Sequence, residues 1–244
     1  MTQTAINLYT VRELEEPMLD IVDRVADAGY DGVQISGGFQ DATPEEVSER
    51  IEERGLDVPP AHIGVEVLED DLEATLVDFK DTLRTPGAVV PSLSRGYFDS
   101  AHAVDRAAER LAALADELST HGWDLHYHNH AREFTDLGDE SALERLIRQV
   151  EDVGIELDVG WALVGGADPI QLIREYGDSI DLLHMKDMDV SEEDFREIGE
   201  GDVDMAACAD AGRDVGVDWL IYEHDDPADP AASIDAGAAF LNDL

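Results

Sequence analysis

Short apolar runs alternate with longer stretches of helical spacing along the whole chain. Residues 4–9 read as a strand, and residues 14–28 follow with Met18, Ile21, Val22, Val25 and Ala28 at helical intervals, ended by Gly29. A second strand covers 33–36. Thr43-Pro44-Glu45-Glu46 supplies a capping residue and a first-turn proline for the next helix, which Gly55 ends. Strands are predicted at 58–63, 88–91, 125–130, 154–158, 180–186 and 219–223. Helices between and after them cover 70–82, 100–119 and 140–150, then run from Asp168-Pro169 to Tyr176-Gly177, from Asp204 to Ala211 with a stop at Gly212, and over 230–241. Eight strand–helix units in strict alternation call for a parallel sheet. In a chain of 244 residues they predict one α/β domain spanning 1–244, a closed (β/α)8 TIM barrel. The competitor is an open doubly wound sheet. It loses its main support because no Gly-x-Gly-x-x-Gly follows the first strand.

Polar residues collect where the predicted strands end, the edge at which such barrels carry their active sites. The densest stretch is 123–134, Trp-Asp-Leu-His-Tyr-His-Asn-His-Ala-Arg-Glu-Phe. If 125–130 is one strand, His126, His128 and His130 share a face, with Glu133 close behind. Three imidazoles and a carboxylate are costly to bury for packing alone, and a metal or acid–base site accounts for them; an exposed edge with solvated histidines is the plain alternative. His62 ends the third strand, Asp158 the sixth, His184 with Lys186 and Asp187 the seventh, and Glu223 with His224 and Asp225 the eighth. Singly, each is an ordinary cap or turn residue. Together, four consecutive strands ending in Glu/His, Asp, His and Glu converge in a closed barrel. Lys186 stands out because the chain contains only one other lysine, Lys80 on a surface helix. A salt bridge to a neighbouring acid is its plain reading.

Composition narrows the partners. Asp and Glu number 58 against 16 Lys and Arg, a formal charge of −42, yet 43% of residues are hydrophobic and the acids are spread through every segment. That fits a folded, solvated surface suited to molar salt, where the Debye length shrinks to about 3 Å, and so a halophilic source. The charge argues against nucleic acid as a partner, since phosphates need cations. The single cysteine, Cys208, excludes an internal disulfide and a thiolate metal cage. No apolar run is long enough to span a membrane, and residues 1–4 lack the start of a signal peptide, so the expectation is a cytoplasmic protein with no membrane partner. A homo-oligomer is compatible with all of this.

Six stretches together carry a resemblance: Ala28-Gly29-Tyr30-Asp31-Gly32-Val33, Tyr127-His128-Asn129-His130, Glu156-Leu157-Asp158-Val159-Gly160-Trp161, Leu183-His184-Met185-Lys186-Asp187-Met188-Asp189, Gly199-Glu200-Gly201 and Tyr222-Glu223-His224-Asp225. In this order they resemble the xylose isomerase-like TIM-barrel superfamily, in the sugar phosphate isomerase/epimerase group related to inosose dehydratase and tagatose 3-epimerase. The resemblance implies a divalent metal, Mn²⁺, Mg²⁺, Co²⁺ or Zn²⁺, held by Asp158, His184, Glu223 and a strand-five ligand, Glu133 or its rival His128. It implies proton transfer next to the carbonyl of a sugar or keto-sugar through an enediolate. Glu133 or Glu223 would act as base, His130 or His128 would relay protons, and Lys186 would steady an oxyanion. His62, His128, Trp161 and Asp187 would bind substrate, with Trp161 against a sugar face. Isomerisation or epimerisation is the leading expectation. Alternatives are dehydration of a keto-sugar or inosose on the same site, an endonuclease IV-like phosphodiesterase, disfavoured by the charge, and a non-catalytic sugar-binding barrel. Gln34 departs from the pattern, since relatives often carry Glu there. No basic cluster or glycine-rich cradle is visible for a phosphate group.

Overall fold

The computed structural model describes residues 2–244. Its barrel strands are β1 (Gln3–Asn7), β2 (Gly32–Gln34), β3 (Ala61–His62), β4 (Gly87–Val90), β5 (Asp124–His128), β6 (Gly154–Asp158) and β7 (Ile180–Met185). A small antiparallel hairpin of β8 (Asp187–Asp189) and β9 (Asp194–Arg196) follows, and β10 (Trp219–Tyr222) is the eighth barrel strand. The parallel order is β2-β1-β10-β7-β6-β5-β4-β3. The remaining seam, between β2 and β3, is joined by parallel bridges at Gly32/Asp57 and Ser36/His62, with the His62 N–H donating to the Ile35 carbonyl at 2.9 Å. An eight-strand ring that closes on itself is the expected TIM barrel.

Local chemistry explains most of the helices. Helix Met18–Ala28 buries Met18, Ile21, Val22 and Val25 and ends at Gly29, whose φ of 96° suits glycine. Helix Pro44–Arg54 opens with a reciprocal Thr43–Glu46 capping box. Helix Ala101–Ser119 is capped by Ser100 and buries eight residues along one stripe. Three expectations change. The helix expected over 70–82 is broken into Val65–Asp70, Leu72–Thr75 and a π-helical stretch, Leu76–Thr82. The helix after β9, Met205–Val215, runs past Gly212 and stops at Gly216; Gly212 is there for packing, since a Cβ would sit 2.6 Å from Leu183 Cδ1. The hairpin β8–β9 was not expected, because each of its strands is only three residues long.

Alternation along the strands sorts side chains into two cores. Outward positions, including Ile6, Val33, Val90, Tyr127, Leu157, Leu183 and Tyr222, join the large apolar core beneath the helices. Inward positions Ala5, Val89, Leu182, Trp219 and Ile221 form a small apolar plug inside the barrel. One step further along the same inward faces stand Asn7, His128, Glu156, His184 and Glu223, all buried. No helix among the described residues is long and apolar enough to cross a membrane.

Candidate metal and proton-transfer site at the carboxyl end of the barrel

Ligand atoms of His128, Asp158, His184 and Glu223 lie within 4.8 Å of one another. They come from the ends of β5, β6, β7 and β10. Backbone contacts hold them there. The Asn129 side chain clamps the backbone of Asp158, accepting from its N–H at 3.0 Å and donating to its carbonyl at 3.2 Å. Asp158 caps the short helix Val159–Val164 by accepting the Trp161 N–H on Oδ1 at 2.7 Å. Gly160 lets that helix approach β7, since a Cβ would meet the Lys186 carbonyl at 2.5 Å.

The other carboxylate oxygen, Asp158 Oδ2, is buried without a well-directed hydrogen bond, although Lys186 Nζ lies 3.2 Å away and His128 Nε2 3.8 Å. An orphaned carboxylate oxygen facing two imidazoles and a second carboxylate is what a divalent cation would satisfy, and two nitrogens with two oxygens suit Mn²⁺, Co²⁺ or Zn²⁺. The residues fit the ion the sequence implied.

Cationic side chains balance the carboxylates. Lys186 Nζ is 2.8 Å from Glu223 Oε2 and 2.8 Å from Asp225 Oδ1. Burial disfavours its charge, but Asp158, Glu223 and Asp225 outweigh that and raise its pKa well above the usual value. His184 donates through Nδ1 to Glu223 at 3.0 Å. Burial lowers its pKa too, yet Glu156 and Glu223 push it up to about 10, so it is an imidazolium when no metal is bound. Burial drives Asp158 the other way, up to about 6 against the pull of Lys186. His128 falls to about 3 and His130 to about 2, burial leading in both, so both are neutral. Arg132 Nη2 lies 3.3 Å from His130 Nδ1. A guanidinium only donates, so Nδ1 accepts and Nε2 carries the proton.

A cavity of about 260 Å³ opens over this cluster, lined by Tyr9, His62, His128, His130, Lys186, Glu223 and Asp225 among others. Beside Lys186 stands an aromatic wall: Trp161 and Phe195, 5.4 and 5.8 Å from its Nζ, pack edge to face. His130 lies 5.7 Å from Trp161 between ring centres. Phe195 is delivered by the hairpin strand β9.

Several expected residues stand elsewhere. Glu133 is outside the cluster. Its Oε1 accepts from the Tyr127 hydroxyl at 2.6 Å and its Oε2 from the His130 N–H at 3.0 Å. Tyr127 points to the outer face of β5, opposite His128, and draws Glu133 with it, away from the cluster; the strand-five residue that stands in the cluster is His128. Asp187 does not face the cavity either. Its carboxylate accepts from the N–H groups of Met188, Gly199, Gly201 and Val203 at 2.8–3.2 Å and so ties down the loop after β9. Gly201 is required there, because a Cβ would collide with Asp187 Oδ1. The three histidines do not share one strand face. β5 ends at His128, His130 begins a 3₁₀ turn, and His126 lies one layer lower, with Nε2 3.2 Å from Asp181. His62 lines the cavity but spends its Nε2 on Glu156, at 2.5 Å.

Glu156 was missed. It lies on the inner face of β6, two residues before Asp158, and is fully buried. Its Oε2 also meets His128 Nδ1 at 3.0 Å and His184 Nε2 at 3.1 Å, while its Oε1 accepts from Gln34 Nε2 at 2.6 Å. Burial opposes its charge, but His184 and His62 hold its carboxyl well below the usual range. An acidic residue inside a strand otherwise fit for burial was the available signal.

Residues 22–244 match the xylose isomerase-like TIM barrel family. An inosose dehydratase from Lacticaseibacillus casei is 25% identical over 247 residues, covering 85% of this chain and 82% of that protein. A sugar phosphate isomerase/epimerase from Parabacteroides distasonis ATCC 8503 superposes with a TM-score of 0.80 at 21% identity, over 99% of this chain and 94% of that one. The probable 3-DHS dehydratase of Bacillus anthracis superposes with a TM-score of 0.79 at 16% identity, over 99% of both chains. At such identities the two structures speak for the fold alone.

Proposed function

Because the chain belongs to the xylose isomerase-like TIM barrel family, we propose that it is a divalent-metal-dependent isomerase or epimerase of a sugar or keto-sugar that moves a proton next to a carbonyl. The convergence of His128, Asp158, His184 and Glu223 around the orphaned Asp158 Oδ2 carries this reading. A bound divalent ion supplies Lewis-acid stabilisation to a carbonyl oxygen as negative charge builds on it. The chain's own groups divide the rest. Glu223, at the cavity edge, takes the proton from the neighbouring carbon. Lys186 faces the developing oxyanion. Neutral His130 presents its Nε2–H to a substrate oxygen and orients it. Trp161 and Phe195 offer an apolar face to the C–H side of a sugar ring.

The substrate is read as unphosphorylated. Among the residues lining the cavity Lys186 is the one permanent cation, and three carboxylates already share it, so no further cation is at hand for the double charge of a phosphate. The net charge of −42 speaks against the phosphodiesterase reading.

Dehydration is the second reading. It is favoured by the inosose dehydratase likeness and by His128. Epimerisation needs a proton acceptor on one face of the carbon and a donor on the other, and a neutral imidazole on the β5 side leaves the carboxylates that line the cavity, Glu223 and Asp225, on the β10 side alone. Incubation with keto-sugars and inososes in D2O, followed by NMR, tests both. Deuterium at the carbon next to the carbonyl with an isomeric product supports the first reading, and loss of water supports the second. No exchange on any of them, with metal loaded, sinks both and favours a sugar-binding barrel.

A further inference from the structure

Metal-capable side chains form two sets here that share two histidines. The upper set is His128, Asp158, His184 and Glu223; the lower is His62, His128, Glu156 and His184. The sets use opposite nitrogens of the shared rings. His128 shows Nε2 to Asp158 and Nδ1 to Glu156. His184 shows Nδ1 to Glu223 and Nε2 to Glu156. A neutral imidazole has one lone pair and one N–H, so each ring can serve one set as ligand and must serve the other as donor.

Four observations choose between the sets. Glu156 Oε2 lies 2.5, 3.0 and 3.1 Å from nitrogens of His62, His128 and His184, which are hydrogen-bond distances with the oxygen itself at the point where the rings converge. Glu156 Oε1 is satisfied by Gln34. His184 Nε2 has a further acceptor, Gln34 Oε1 at 2.9 Å, whose own role as acceptor is fixed because Asn7 Nδ2 donates to it at 2.6 Å. Every partner of His184 Nε2 is therefore an acceptor, and the proton belongs there. The upper set, by contrast, holds the orphaned oxygen, Asp158 Oδ2.

We propose that Glu156 is the positioning residue of this site: one buried carboxylate fixes the tautomers of His128 and His184 together and so presents His128 Nε2 and His184 Nδ1 as ligands. This rests on the metal reading above. A ligating histidine whose second nitrogen is held by a carboxylate has a set ring orientation and a more basic lone pair. Here one residue does this for two rings on the strands that flank its own, β5 and β7, with His62 and Gln34 completing its hydrogen bonds.

The test uses zinc, which is diamagnetic. In zinc-loaded wild type, long-range ¹H–¹⁵N histidine spectra are expected to place the protons on His128 Nδ1 and His184 Nε2. Protons on His128 Nε2 and His184 Nδ1 would put the ion in the lower set, with Glu156 as a ligand, and overturn the proposal. In Glu156→Gln, chelator competition is expected to show zinc bound at least tenfold more weakly, with mixed tautomers for the two rings. A folded Glu156→Gln protein with wild-type affinity and unchanged tautomers removes Glu156 alone. Zinc retained by Asp158→Asn, Glu223→Gln, or not bound by wild type, removes the metal reading and this inference with it. If Glu156→Gln does not fold, the wild-type spectrum still decides.

Discussion

At the amino end of the barrel, Asp124, His126, Asp152, Asp181 and Asp218 rim a cavity of about 530 Å³; at the carboxyl end, His128, His130, Lys186, Glu223 and Asp225 rim one of about 260 Å³. Both ends join imidazole to carboxylate. They differ in what stands behind the rim. The amino-end pair, His126 and Asp181, leaves the Asp181 side chain 47% exposed, and water screens it. The carboxyl-end groups are buried or half-buried, and the cations among them are answered in turn, Lys186 by three acids and His184 by two. Volume points to the first end and chemistry to the second. A cavity gains function from groups whose charge states are set by their neighbours, and size alone does not supply that.

The comparison breaks if the two ends respond alike to substitution. The largest effect is expected from Asp158→Asn, Glu223→Gln. Metal content measured by elemental analysis in molar salt should fall to background, and exchange or turnover by at least about 10³-fold, roughly the loss of one major stabilising group and more. His126→Gln should leave both within about twofold. Next comes Lys186→Met. Removing the ammonium leaves Asp158 and Asp225 without their cation and Glu223 with His184 alone, a cost of about 3–5 kcal/mol in metal-free protein by urea unfolding. Added Zn²⁺ should restore more stability to this variant than to wild type; equal gains would mean that Lys186 and the ion do not share the carboxylates. Asp187→Ala strips an acceptor from four N–H groups and should cost about 1–3 kcal/mol. Its metal affinity should hold, because Asp187 touches none of the ligands. The smallest effect belongs to Asp181→Asn, within about 1 kcal/mol. Salt sharpens the contrast. Raising KCl from about 0.1 to about 2 M should raise the thermal midpoint of wild type by screening the dispersed surface acids, and should raise that of Lys186→Met by a similar amount, since buried charges are screened much less.

The barrel was legible because its signal is repeated eight times: apolar strand, polar turn, amphipathic helix. Asp158, His184, Lys186 and Glu223 were legible for the same reason, since each closes a strand whose end was easy to place. Glu133 misled because sequence distance does not report which face a residue joins after the chain leaves the strand; Tyr127 decided that through a hydrogen bond. Asp187 misled because backbone N–H groups, which no sequence displays, consume its carboxylate. Glu156 stayed hidden inside a strand, where one charged letter looks like noise until three imidazoles from β3, β5 and β7 are seen around it. Phe195 arrives on a hairpin too short to show a period.

β10 lies between β1 and β7, so the strand that brings Glu223 is also the one that closes the ring between the first strand of the chain and β7. It is the last of the eight barrel strands in chain order. Under the metal reading, His128, Asp158 and His184 would lack their fourth partner until β10 docks, so the set would be completed only as the ring closes. A product truncated before β10 would lack Glu223 and the closing strand together, an open ring with an incomplete cluster.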